Sequence, residues 1–223
     1  GSDVTEHVKQ FTNVPLHINK EGTYVIDGEA LIKIDDFDSV NVNGEFKNSR
    51  NLAAGTLSSL DTSVVKNRKL SWYAWEVVEG YKEEVNSFYL NLIEANALGF
   101  DVVPMCDVSA YEFNNLQEVI NTILKIAEEE FFPQDGVVFK FDDVKYGKSL
   151  GNTSHHFRNG IAWKAANTDV LTTLKEIEFT MGKTGTLTPT AVFNSVWCDG
   201  SNVERASLHN ISMMNEILGQ PYK

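Results

Sequence analysis

Residues 46–61 decide the fold, and they read FKNSRNLAAGTLSSLD. Within them, residues 48–61 are small and polar, which predicts a loop with a short helix. Their order is far more specific than a periodic apolar pattern. It therefore directs the interpretation of the sequence on either side.

The composition limits the classes of protein to which the chain can belong. Its 223 residues suit one large domain, or one medium domain with part of another, and 42% hydrophobic content is enough for a core. The net charge of −12 argues against a broad nucleic-acid surface. Local phosphate contacts through single Lys and Arg side chains stay possible.

The sequence lacks the features of membrane and secreted proteins. No apolar run reaches the roughly 18 residues of a transmembrane helix, and no signal peptide is visible at the start. The two cysteines, Cys106 and Cys198, are too few for a disulfide framework. We therefore expect free, buried thiols in a reducing cytosol.

Periodic patterns predict the main elements. Strand-like patterns cover Thr23–Ile34, Lys69–Val78 and Asp135–Phe141, and helical spacing covers Tyr81–Leu98. A second helix follows Asn115, which opens a capping box. The buried stripe of this second helix is predicted to be Leu116, Val119, Ile120, Ile123 and Leu124.

The pattern changes near residue 167. Beyond it, two β-like runs surround a Gly-Lys-Thr-Gly turn at residues 182–185, and Gly and Pro separate short strands. Such punctuation predicts a small barrel or sandwich. We therefore place one domain at 1–167 and another at 168–223, which is short for a complete barrel.

The segment DGVVFK, residues 135–140, combines an acid and a lysine on a predicted strand. Strand alternation places Val138 and Lys140 on one face. Asp135 could orient a metal or a ribose, and Lys140 could pair with a phosphate or lie on a base. For this segment alone, an ordinary strand after a D-G turn is the favoured interpretation.

Four motifs, in one order along the chain, resemble the signatures of NAD-dependent DNA ligases. Residues 46–61 resemble F-x-N-P-R-N-x-A-A-G-S-L-R-x-L-D, and residues 135–140 contain D-G-V-V. Residues 150–164 (LGNTSHHFRNGIAWK) resemble L-G-x-T…R-W-A-x-A-[FY]-K. Residues 182–189 (GKTGTLTP) and 206–210 (ASLHN) resemble G-R-T-G-x-[LI]-T-P and A-T-L-H-N.

The resemblance implies an α+β fold. A nucleotidyltransferase (adenylation) domain of antiparallel sheets with helices, lacking its N-terminal part, is expected at 1–167. The N-terminal part of an OB-fold β-barrel is expected at 168–223. The implied location is the cytoplasm of a bacterial or phage-infected cell.

The resemblance also implies a chemistry. A lysine takes AMP from NAD, the AMP moves to the 5′-phosphate at a nick in double-stranded DNA, and the 3′-hydroxyl then attacks. Mg²⁺ is the expected metal cofactor, because it neutralises developing phosphate charge.

Five residues are implied in binding the adenylate of NAD. Glu29 is expected near the ribose, while Trp75 and Lys140 are expected on opposite faces of the adenine, where the family usually has Tyr and Lys. Val138 lies on the same motif as Lys140, and Lys164 is expected to touch the α-phosphate and act in catalysis. Without the resemblance, Trp75 could be core, and Glu29 and Lys164 could be solvated strand residues.

Further residues are implied in catalysis and in DNA binding. Asp135 matches the acid of D-G-V-V, and Arg50 is expected near phosphates or the nick. Arg158, Lys183 and His209 match positions expected to touch DNA. The sequence predicts no metal site of its own.

Lys33 lies in Lys33-Ile34-Asp35-Asp36, one residue away from the family's nucleophile motif K-x-D-G. The family's nucleophile lies well upstream of the strand that contains Glu29, so we interpret Lys33 as a surface or rim lysine. Residues 1–8 resemble the family sequence just after that nucleophile. The expected partner is therefore an N-terminal ligase segment or subunit that carries K-x-D-G, and the chain alone is expected to be inactive.

Several positions depart from the family pattern. Ser58 and Asp27 stand where the family has arginines, and residues 125–134 lack another arginine. These losses predict weaker NAD or DNA binding unless a partner supplies the charges, and they suggest a divergent, phage-like ligase. For the pair His155 and His156, a polar loop is favoured over a metal site.

Three functions compete at this point. The first is a portion of a DNA ligase that is active once completed. The second is a ligase-derived subunit that binds adenylate or nicked DNA without chemistry. The third, an ATP-dependent nucleotidyltransferase, is disfavoured by the motif in residues 46–61 and by the start of the OB domain.

Overall fold

A computed structural model describes residues 1–82, 84–108, 115–153, 158–164, 170–198 and 201–219. The chain divides into two compact units, unit 1 at residues 1–165 and unit 2 at residues 166–223. Helices are combined with small antiparallel sheets, which confirms the predicted α+β class.

Unit 1 contains two separate two-stranded antiparallel sheets, one of β1 and β2 and one of β3 and β4. The strands are β1 (Val25–Leu31), β2 (Ser71–Glu79), β3 (Val137–Lys140) and β4 (Gly160–Trp163). The helices described are α1 (Thr5–Val8), α2 (Ile34–Val40), α3 (Ser49–Leu57), α4 (Val64–Asn67), α5 (Phe88–Ala97), α6 (Leu116–Glu129) and α7 (Val144–Ser149).

The sheet of β1 and β2 contains an irregularity that affects one predicted site residue. Gly28 pairs with Ala74, but Asp27 pairs with Glu76, so Trp75 is left over as the extra residue of a β-bulge. A bulge bends its strand and changes the direction of a side chain. The position of Trp75 is therefore set by the bulge rather than by simple alternation.

Two buried clusters hold unit 1 together. The first lies among α3, α4 and the ends of β1 and β2, and it consists of Phe11, Ile32, Leu52, Ala53, Val65 and Leu70. The second joins β2 to α6 and the residues after it, through Tyr73, Ala127 and Phe132. The rings of Tyr73 and Phe132 meet edge to face, with their centroids 4.6 Å apart.

The structure corrects some of the predicted elements. The first strand ends at Leu31 rather than Ile34, because Lys33 is extended and the next residues enter α2. Asp35 and Asp36 favour that helix start, since acidic side chains stabilise the N-terminal turn. The segment 48–61 is more helical than expected, as α3 fills most of it.

Two helix starts also differ from the sequence prediction. Helix α5 begins only at Phe88, where the Ser87 hydroxyl accepts a hydrogen bond from the Leu90 N–H at 3.1 Å. The capping box at Asn115 is wrong, because its side chain does not cap α6 but donates to the Glu118 carboxylate instead. The buried residues of α6 are Ile120, Ile123 and Ala127.

The described residues of unit 2 form one three-stranded antiparallel sheet and a helix. The strands β5 (Leu174–Met181), β6 (Leu187–Cys198) and β7 (Ser201–Ser207) lie in this order, and α8 (Ile211–Leu218) follows. The turn between β5 and β6 is closed by the Gly182 N–H, which donates to the Thr186 carbonyl at 2.8 Å. The strands described for this unit form no closed barrel.

The described helices include none that is both long and apolar enough to cross a membrane.

We expect Leu52→Ala to lower the free energy of unfolding of unit 1 by about 2–5 kcal/mol, because it leaves a cavity in the first cluster. Leu52 is only 1% exposed there. Urea unfolding of the wild-type chain and of Leu52→Ala measures the difference in the free energy of unfolding.

The matched control is Leu60→Ala, because the side chain of Leu60 is fully exposed. We expect it to change the stability by less than about 0.5 kcal/mol. Equal losses in the two variants would contradict this description of the core.

Candidate adenylate site

The pairing of β3 with β4 brings together two residues that are far apart in sequence. Val137 pairs with Trp163, so Asp135 and Lys164 flank the same end of this two-stranded sheet. The Lys164 Nζ lies 3.3 Å from the Asp135 Oδ2. The structure thus unites two of the predicted catalytic residues.

A glycine makes this approach possible. A Cβ on Gly136 would lie 2.3 Å from the carbonyl oxygen of Trp163 and 3.2 Å from the side chain of Lys164. No larger residue fits there without moving the backbone of β4. Gly136 therefore allows the two strands to approach closely beside Asp135 and Lys164.

Arg50, in the first turn of α3, joins the same group. Its Nη2 lies 3.9 Å from the Asp135 Oδ2. The side chains of Arg50, Asp135 and Lys164 are 75%, 67% and 66% exposed. Exposed ion pairs of this kind contribute little to stability, about 0–1 kcal/mol, so both cations are available to an anionic ligand.

A second group lies around Lys140. Its ammonium is paired with the carboxylate of Glu76, and the two side chains are only 15% and 20% exposed. The same ammonium lies 4.7 Å from the ring centroid of Trp75 and 4.8 Å from that of Phe88. Both distances fit cation–π contacts.

The other predicted adenylate residues lie on exposed strand positions. Trp75 remains 37% exposed and Val138 is 64% exposed. Glu29 is exposed on β1, opposite Tyr73. An apolar side chain as exposed as Val138, two positions from Lys140, leaves surface for a flat ligand.

The start of α5 holds Phe88 next to Lys140. The Asp142 carbonyl accepts a hydrogen bond from the Phe88 N–H at 2.7 Å, and its carboxylate accepts one from the Tyr89 N–H at 2.8 Å. Next to it, hydrogen bonds from the Tyr146 N–H and from the Asn86 side chain lower the pKa of Asp143. These bonds tie α5 to the residues that follow β3.

Lys33 lies next to two aromatic rings. It immediately precedes α2, and its Nζ lies 5.1 Å from the ring centroid of Phe132 and 5.9 Å from that of Tyr73. The side chain is half-buried against the second cluster rather than grouped with Asp135 and Lys164.

The three other residues predicted to touch DNA are all exposed. The Arg158 N–H donates to the Gly151 carbonyl at 3.0 Å, Lys183 lies in the turn between β5 and β6, and His209 has a φ of 60°. Arg158 belongs to unit 1, and the other two belong to unit 2. The prediction for His155 and His156 lies outside the described residues.

Sequence reasoning missed Glu76 and Phe88 as site residues. An acid directly after Trp75 in an otherwise apolar strand was the signal for Glu76. Phe88 gave no such signal, since it fits the apolar stripe of a helix. Among the described residues, no group of three or more His, Cys, Asp or Glu side chains could hold a metal ion.

Comparison with protein families identifies both units. The model of the NAD-dependent DNA ligase adenylation domain matches residues 1–168. The model of the NAD-dependent DNA ligase OB-fold domain matches residues 171–217. These matches set aside the ATP-dependent alternative.

Curated relatives of this chain are named DNA ligase. The DNA ligase of Lachnoclostridium phytofermentans is 38% identical over 97% of this chain, and that of Ruminiclostridium cellulolyticum is 34% identical over 97%. The DNA ligase of Aliarcobacter butzleri is 33% identical over the same share. The chain spans about a third of the length of these relatives, 34% in each case.

The two domain matches and the relatives confirm the resemblance that the four motifs indicated. The chain belongs to the NAD-dependent DNA ligase family.

Proposed function

We propose that this chain is the portion of an NAD-dependent DNA ligase that binds the adenylate and the nicked DNA. It seals nicks once a segment with the nucleophilic lysine of K-x-D-G completes it. The observation that carries the proposal is the proximity of Arg50 and Lys164 to Asp135, beside a motif strand that also bears Lys140.

The two groups of side chains bind different parts of the adenylate. The group around Lys140 binds the base, and the group around Asp135 binds the phosphates. Trp75 and Lys140 take opposite faces of the adenine, with Val138 against its edge. Glu29 binds the ribose. Stacking on an aromatic ring contributes about 1–3 kcal/mol per base, so Trp75 supplies much of the base affinity.

The phosphates lie at the other group. Lys164 contacts the α-phosphate, and Arg50 adds a second cation for the phosphates of the adenylate or the nick. Charge increases on the phosphate oxygens in the transition state, and positioned cations stabilise that charge. Asp135 holds both cations in place before the nucleotide arrives.

A magnesium ion fits this arrangement. Mg²⁺ usually binds through one or two carboxylates together with substrate phosphates, and Asp135 is the carboxylate at the phosphate end. When bound, the ion would neutralise phosphate charge.

Nicked DNA is the second substrate of the proposed function. Arg50 and Arg158 in unit 1, and Lys183 and His209 in unit 2, are the residues that contact it. Because the chain carries a net charge of −12, these contacts are local rather than spread over a basic surface. The proposed location is the cytoplasm of a bacterial or phage-infected cell.

A second candidate is a ligase-derived subunit that binds adenylate or nicked DNA without chemistry. It is favoured by one observation: Ser58 and Asp27 stand where the family has arginines, which leaves fewer positive charges for phosphates. The same site residues serve both candidates. Only the transfer of AMP distinguishes them.

The chain is first incubated with NAD and Mg²⁺, alone and with an N-terminal ligase segment that carries K-x-D-G. Intact mass measures the gain of AMP, and a nicked duplex measures sealing. We expect AMP on the added segment only, together with sealing, because the lysine nucleophile lies there.

Two results contradict that expectation. AMP on this chain alone would make a lysine within it the nucleophile, with Lys33 as the first suspect. No AMP on either protein would favour the subunit without chemistry.

We expect Trp75→Ala to weaken AMP binding roughly 5- to 150-fold, because it removes the stacking surface for the base. Isothermal titration calorimetry measures the affinity. The matched control is Trp197→Ala, which removes a 65% exposed tryptophan from unit 2 and should leave AMP binding unchanged. Equal affinities in the two variants would place the base elsewhere.

A further inference from the structure

The proposed function places the adenine between Trp75 and Lys140, in a space that we call the adenine slot. The ion pair between Lys140 and Glu76 limits access to this slot. The Lys140 ammonium lies close to both the Trp75 and the Phe88 rings, and its ion pair with the Glu76 carboxylate holds it there. All three partners therefore favour one position of the ammonium. That position is directly next to the surface on which the base would stack.

The space between Lys140 and Trp75 is too narrow for a base. Non-bonded heavy atoms pack about 3.5–4.0 Å apart, so a ring layered between Trp75 and the ammonium needs roughly 7 Å. The observed distance from the ammonium to the Trp75 centroid is 4.7 Å. The ammonium must move by about 2 Å or more before a base can enter.

We propose that Glu76 is a positioning residue that keeps Lys140 in the adenine slot of the free protein, so that the base must displace the lysine to bind. This inference rests on the proposed function, because it takes the slot between Trp75 and Lys140 as the adenine site. Glu76 thereby lowers the affinity for every adenosine ligand, whatever its charge.

Two features make the displacement possible. Phe88 is held by the hydrogen bond from its N–H to the Asp142 carbonyl, and its ring is a second aromatic partner for the ammonium besides Trp75. Glu76 lies directly after the bulge at Trp75, on the strand that carries the stacking ring. The lysine can therefore leave the tryptophan without losing all of its partners.

A neutral ligand separates this effect from simple repulsion between charges. A carboxylate near the site also repels the phosphate of AMP, so its removal strengthens AMP binding for a trivial reason. Adenosine has no phosphate. Its affinity reports only on access to the slot.

The test compares Glu76→Gln with the wild-type chain, using adenosine as the probe and calorimetry or ligand-observed NMR as the measurement. We expect the dissociation constant for adenosine to fall about three- to tenfold, because the amide holds the ammonium less strongly than a carboxylate does. The matched control, Glu79→Gln, makes the same change at an exposed residue of the same strand and should have no effect.

Loss of stability cannot produce the expected result, since damage to the fold weakens binding rather than strengthening it. Thermal unfolding checks that Glu76→Gln is folded, and Glu76→Ala serves as the second variant. Equal or weaker adenosine binding in both folded variants would overturn the role of Glu76.

Adenosine binding by Trp75→Ala distinguishes the proposal of the adenine slot from the proposal about Glu76. If Trp75→Ala weakens adenosine binding but Glu76→Gln does not strengthen it, the adenine slot stands and the inference about Glu76 fails. If neither the wild-type chain nor Glu76→Gln binds adenosine, both the slot and the inference fail.

Discussion

The ion pair between Lys140 and Glu76 joins the two small sheets of unit 1. Glu76 belongs to β2 and Lys140 to β3, and a two-stranded sheet is marginally stable on its own. With both side chains largely shielded from water, the pair is more than a surface contact. In the free protein it also keeps the Lys140 ammonium next to the Trp75 ring.

The register of β3 and β4 sets the position of the proposed phosphate end of the same site. Lys140 pairs with Gly160 at one end of this two-stranded sheet, and Asp135 and Lys164 meet at the other. The sheet therefore separates the proposed base-binding end from the proposed phosphate-binding end. Gly136 is needed because the carbonyl of β4 lies where a side chain would begin.

Much of this arrangement could be predicted from sequence, because family motifs indicate which residues bind the same ligand or act in the same reaction. The α+β class and the family followed from residues 46–61, 135–140, 150–164 and 182–189. The main strands followed from alternating, β-prone patterns in the sequence. The bulge at Trp75 and its effect on Glu76 could not be predicted, since a bulge depends on pairing between distant strands. The late start of α5 depends likewise on the contact of Phe88 with Asp142.

The central claim is that the slot between Trp75 and Lys140 receives the adenine of NAD. A crystal structure of the chain with NAD tests it most directly. We predict the adenine stacked on Trp75, the α-phosphate near Lys164, and the Lys140 ammonium moved away from its position 4.7 Å from the Trp75 centroid. Adenine bound elsewhere, with Lys140 still on Trp75, would contradict the account.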